Sequence, residues 1–128
     1  MDKELQKTYK KTIKNLIYLI FTLTLFVIGC TLNFIVVSGN HGKMPIYYES
    51  DVTYCNDYYI TFDSWAEVRY EFLSDIIPIG ERMASVGDTF IIGSLPFLFI
   101  FSIKLYKLLK QQRRLENVTY SNKTDTFK

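Results

Sequence analysis

Residues 16–37 read LIYLIFTLTLFVIGCTLNFIVV, and this stretch decides the fold. No Asp, Glu, Lys or Arg occurs from Asn15 to Gly42. About 20 apolar residues wound as a helix cross a hydrocarbon layer about 30 Å thick, so the stretch reads as a transmembrane helix over residues 15–38. A second uncharged run extends from Thr89 to Ile103 and continues as Leu105, Tyr106, Leu108 and Leu109 around Lys104 and Lys107. Those two ammonium groups can snorkel to the interface, which extends the second span to residues 85–109. Pro96 removes a backbone donor inside that span and predicts a kink, while Gly93 and Ser94 allow close helix contact. After two spans, a chain of 128 residues has too little left for a sizeable water-soluble core.

Charge sets the expected orientation. Residues 1–14 carry five lysines against Asp2 and Glu4, residues 104–128 carry seven basic residues against Glu116 and Asp125, and residues 39–88 carry nine acids against Lys43, Arg69 and Arg82. Basic residues beside spans stay cytoplasmic, so both termini are expected inside and the acidic middle outside, in a multi-pass protein of the cell membrane. The basic clusters match anionic headgroups, which makes the lipid bilayer the expected partner and argues against nucleic acid. Lys107, Lys110, Arg113 and Arg114 read first as a juxtamembrane stop signal, with a headgroup site as the sharper alternative.

Val27-Ile28-Gly29-Cys30 fits the pattern before an acylated lipoprotein cysteine, so processing at Cys30 is a rival reading. Against it, Thr31 to Val37 prolongs the apolar run past the cysteine, unlike a signal peptide core of roughly 7 to 15 residues. Cys55 falls in the outer segment, where an unpaired thiol suggests an intermolecular disulfide or an exterior that is not oxidising. With one histidine, His41, and no CxxC spacing, the sequence points to no metal, cofactor or catalytic constellation.

The outer segment, residues 39–84, opens on Ser38-Gly39-Asn40-His41-Gly42, which can close a helix, and Pro45 forbids its resumption. Tyr47, Tyr48, Tyr54, Tyr58 and Tyr59 then suit a membrane interface, or else a carbohydrate- or peptide-binding surface. Ser64-Trp65-Ala66-Glu67 fits a capping box, and Trp65, Val68, Phe72, Leu73 and Ile76 recur at helical spacing, predicting a short amphipathic helix over about residues 65–76. Ser85 and Asp88 are again three apart, so Asp88 fits the first turn of the second span as a capping acid. An acid at the edge of a span is also a site hypothesis. The sharper expectation is a polar cluster of Asn33, Asn40, His41 and Asp88 at the outer mouth of the helix pair, with Asn33 seeking its partner on the other helix.

Gly29 with Leu32-Asn33, then Gly39-Asn40-His41-Gly42-Lys43-Met44-Pro45, Asp75-Ile76-Ile77-Pro78 and Ser85-Val86-Gly87-Asp88 together resemble a family of bacterial integral membrane proteins, domain of unknown function 5317. The likeness covers roughly residues 25 to 100. Members generally carry further spans upstream, where this chain has a lysine-rich segment, and the resemblance implies no activity. The Asp88-led span is also similar to the Asn-x-Ala-Asp span entrance of lipoprotein signal peptidases, whose two-aspartate cleavage would need Asp75 or Glu81 as second acid here.

The expected object is an all-α membrane protein with two transmembrane helices, an extracytoplasmic amphipathic helix and a disordered cytoplasmic tail over residues 110–128. Too few polar residues lie in the spans to line a pathway, so an accessory or interaction subunit is expected, as a homo-oligomer or with a larger membrane-protein partner. The alternatives are the lipoprotein and a membrane enzyme or small-ligand or ion binder built on the polar cluster.

Overall fold

The structure, a computed structural model, describes residues 3–47, 58–62, 68–80 and 82–125. Helix α1 (Lys3–Gly39) leads into strands β1 (Met44–Tyr47) and β2 (Tyr59–Phe62), a 3-10 turn (Glu71–Leu73), strands β3 (Ile77–Ile79) and β4 (Arg82–Ala84), and helix α2 (Val86–Asp125). Both helices are long and apolar enough to cross a membrane. Only 17% and 11% of their most apolar windows are buried within the protein, unlike the core helix of a soluble globule. The chain divides into two compact units, Met1–Leu23 with Pro96–Lys128 and Thr24–Leu95. Pro96 stands at the division in α2, where it cannot donate to the carbonyl four residues before it.

In the first unit the two helices run in opposite directions, for Tyr9 meets Glu116 while Asn15 meets Phe101. Helix α2 continues through Asp125, where a disordered tail is expected beyond Lys110. The reason is local: Leu108-Leu109-Lys110-Gln111-Gln112-Arg113-Arg114-Leu115-Glu116 are all strong helix formers, and low apolar content alone is a poor guide to disorder. Tyr9 Oη and Gln112 Nε2 also donate to Glu116 Oε1, at 2.5 and 3.2 Å. Helix α1 likewise begins at Lys3, so the basic N-terminal segment is helical.

The second unit corrects the all-α expectation, since two small two-stranded sheets stand between the helices. β1 and β2 pair in parallel with Met44 opposite Tyr59 and Tyr47 opposite Phe62, and β3 and β4 pair antiparallel across a connection headed by Gly80 at φ 62°. The other edge of β1 holds residue 75: Asp75 N–H donates to Pro45 O at 2.9 Å and Tyr47 N–H to Asp75 O at 3.0 Å. A proline is tolerated in β1 because this single bridge needs its carbonyl and not an N–H. Val36, Met44, Pro45, Phe62 and Ala84 are buried, with Tyr47 and Phe62 edge to face at 5.7 Å.

The amphipathic helix expected over residues 65–76 is absent from residues 68–76, which hold one 3-10 turn and the Asp75 bridge; its capping box lies outside the described residues. Tyr70 adopts a left-handed conformation at φ 59°, which breaks a right-handed helix at its centre. Phe72, placed on the inward stripe by periodicity, is 62% exposed. The following Ile77-Pro78-Ile79 forms a strand, so Pro78 ends no helix.

Candidate functional site

Within the second unit, Asn33 of α1 faces the beginning of α2. Asn33 Nδ2 donates to Asp88 Oδ1 at 2.7 Å, and Ser85 Oγ donates to Asn33 Oδ1 at 2.7 Å. Ser85 and Asp88 also cap each other: Asp88 N–H donates to Ser85 Oγ at 2.9 Å and Ser85 N–H to Asp88 Oδ2 at 3.1 Å. The result is a closed ring in which four donors meet four acceptors. Two physical needs converge on it. The first turn of α2 must satisfy orphan N–H groups, and an amide inside an apolar run must find a partner. Asp88 serves both, in a position where the positive end of the helix dipole favours a carboxylate.

Two glycines let the ring close. A Cβ built on Gly29 would lie 2.6 Å from Gly87 O, and one on Gly87 would lie 2.7 Å from Gly29 O and collide with Asn33 Oδ1. The two backbones therefore touch, in the manner of small-residue contacts between membrane helices. Ser85 and both glycines are absent from the four-residue cluster read from the sequence. The capping spacing exposes Ser85 as a ring member only once Asn33 is known to face it.

The structure separates the other two members of that cluster from the ring. Asn40 Nδ2 donates to Val36 O at 2.8 Å and to Arg69 O at 2.9 Å, while its Oδ1 accepts Arg69 N–H at 2.9 Å. It clamps residue 69 as a neighbouring strand would, beside the left-handed Tyr70 whose ring covers Gly39. His41 is exposed in the turn after α1 at φ 57°, followed by Gly42 at φ 84°, whose N–H closes on Val37 O. Cys30 is an exposed free thiol on α1, and Cys55 lies outside the described residues.

A fourth polar residue belongs beside the ring. Asp75 is 6% exposed, and its Oδ1 has no hydrogen-bond partner. Burial pushes its carboxyl up to about 6, and the charge of Asp88 adds to the rise. The sequence offers Asp75 only as an alternative to Glu81 as a second acid, and its burial comes from the bridge to β1, a contact between segments 29 residues apart. Among the described residues, no group of three His, Cys, Asp or Glu side chains is placed to hold a metal ion.

The geometry can lock helices together, and Asp75 can take up a proton; Asp88 already has both oxygens occupied. No curated protein and no solved structure matches the chain. A family model matches residues 12–103, a range that contains Asn33, Asp75, Ser85 and Asp88, and on that match the chain belongs to DUF5317, a family of unknown function.

Proposed function

We propose that the protein is an accessory or interaction subunit of the bacterial cytoplasmic membrane, spanning it over about residues 15–38 and 85–109 with both termini inside. One observation carries this reading: the buried polar side chains of the spans, Asn15, Thr22 and Ser94, and the half-buried Asn33 are hydrogen-bonded within the chain, while the apolar surface is left open. Asn15 Nδ2 donates to Phe101 O, Thr22 Oγ1 to Tyr18 O, Ser94 Oγ to Ile91 O, and Asn33 joins the closed ring. Phe21, Phe34 and Phe99 are 63%, 70% and 70% exposed. Such a surface suits lipid and a second membrane helix. The occupant is a second copy of this chain or a larger membrane protein.

The test is mass in detergent over a wide concentration range, with copurification from membranes and alkaline carbonate extraction in parallel. An oligomer or a stoichiometric partner, resistant to extraction, is expected. A monomer that copurifies with nothing overturns the subunit role, and release by carbonate overturns the membrane reading. Labelling with a membrane-impermeant maleimide tests orientation: Cys55 reacts in intact cells if the middle segment is outside.

A small-ligand or ion-binding role, or an enzyme, is favoured by the unpartnered buried oxygen of Asp75 next to Asp88. It requires that Asp88→Asn abolish a phenotype at unchanged protein level.

A further inference from the structure

We propose that a lysine-lined groove in the first unit binds the phosphate of an anionic phospholipid headgroup, an inference that rests on the membrane reading above. The groove holds about 480 Å³ and is lined by Lys11, Lys14, Asn15, Tyr18, Lys104 and Leu108. Three lysines from two helices thus line one cavity, and among the described residues no carboxylate lines it. Like charges gathered around one cavity repel one another, so the arrangement favours a bound anion.

The groove is built rather than accidental. Asn15 is 4% exposed, and its Nδ2 bond to Phe101 O, 2.9 Å, ties α1 to α2 at the cavity wall. Tyr18 stacks on Phe101 at 5.6 Å, and Lys14 Nζ stands 5.9 Å from the Tyr18 ring centre. Lys11, Lys14 and Tyr18 follow at helical spacing on α1, as Lys104 and Leu108 do on α2.

The groove also stands at the right level in the chain. Asn15 and Lys104 are where the uncharged runs begin and end, so the lysines meet headgroups while Tyr18, a turn deeper along α1, meets acyl chain. That combination distinguishes a lipid from free phosphate, which has no use for the apolar wall.

The experiment is native mass spectrometry of the full chain in detergent, titrated with phosphatidylglycerol, with phosphatidylcholine and with glycerol phosphate. Phosphatidylglycerol is expected to be retained at least about tenfold more strongly than phosphatidylcholine. The triple variant Lys11→Gln, Lys14→Gln, Lys104→Gln loses that preference, whereas Lys7→Gln, Lys107→Gln, Lys110→Gln, which removes equal charge outside the groove, keeps it. Equal loss in both variants overturns the site in favour of diffuse charge, and no preference in the native chain overturns it outright. Displacement by glycerol phosphate at equal concentration assigns the site to soluble phosphate and overturns the lipid. Carbonate extraction separates the two readings: protein that stays in the membrane without the preference sinks the site alone.

Discussion

Each of the two units sets an asparagine of α1 against α2, and the two asparagines are answered differently. Asn15 donates to the backbone carbonyl of Phe101, whereas Asn33 engages the side chains of Ser85 and Asp88. A carbonyl is present whatever residue stands at position 101, so the first contact tolerates change on α2. The second exists only with these side chains at this spacing. The ring of the second unit is therefore a sequence-specific contact between the helices, whereas the first unit adds packing, a charged groove and one side-chain bond at its end, Tyr9 to Glu116. The largest expected effect follows from the backbone contact beneath the ring. Gly87→Ala drives a methyl group into Asn33 and the Gly29 carbonyl, and overpacking of this kind costs about 1–3 kcal/mol, with the upper part expected where backbone is struck. Gly93→Ala meets nothing within 4 Å and is expected to be neutral or stabilising by up to about 1 kcal/mol. Thermal unfolding of both variants in detergent checks the contrast, and equal behaviour would deny the close approach.

Next in size is the ring itself. Asn33→Ala leaves Asp88 Oδ1 and the Ser85 hydroxyl each short of a partner, and loss of a hydrogen bond to a charged group costs about 1.5–3 kcal/mol. Asn33→Ala and Asp88→Ala should be strongly non-additive, because each removes the same contact. Phe101→Leu is the matching test in the first unit. It keeps the carbonyl that Asn15 uses and loses only the ring stacked on Tyr18 and Phe97, so a smaller loss is expected. Additivity between Asn33 and Asp88 in a double-mutant cycle would break the comparison.

The same contrast explains what the residues alone reveal. Charge-free length exposes both helices, and the Ser85-x-x-Asp88 spacing exposes the cap, because these are properties of consecutive residues. Asn33 and Asp88 are legible as site candidates since a polar group in an apolar run stands out against its neighbours. Asn40 and His41 stand out equally, yet one clamps Arg69 and the other occupies a turn, and polarity cannot distinguish those uses. The 68–76 segment misleads because helical periodicity is only a pattern of burial, and the left-handed Tyr70 and the bridge from Asp75 to β1 override it. Asp75 stands out in the sequence only as one of two acids that could pair with Asp88, and its burial becomes visible only with that bridge.

The buried acid gives a smaller, pH-dependent effect confined to the second unit. Its carboxyl is raised to about 6 from the ordinary 3.8, so the folded chain holds that proton more tightly than the unfolded chain does. The resulting stabilisation is complete below the unfolded value and is lost as pH rises through about 6. Native protein should therefore lose melting temperature relative to Asp75→Asn between about pH 4 and about pH 7, with the difference constant above that. Taking the difference between the two proteins cancels the titration of groups common to both. A relative gain for native protein with rising pH would mean that the Asp75 carboxylate has a positive partner, and would remove the case for a proton site beside the ring.

Tyr9→Phe is expected to do least, although its hydrogen bond to Glu116, at 2.5 Å, is a short polar contact between the helices of the first unit. That bond holds the Glu116 carboxyl below the usual range, with Gln112 and then the nearby Arg113 adding to the effect. Both side chains are only partly covered, so water replaces the lost partner and little net stability is at stake. Helix α2 beyond Lys110 should persist in Tyr9→Phe, because its residues favour helix without Tyr9 and the Asn15 contact remains. Amide hydrogen exchange over residues 110–121 reads this directly. Unchanged protection means that the first unit is held by propensity and packing, leaving side-chain specificity to the ring of Asn33, Ser85 and Asp88. Loss of protection in Tyr9→Phe alone would show a second side-chain lock, and the two units would then differ in position but not in kind.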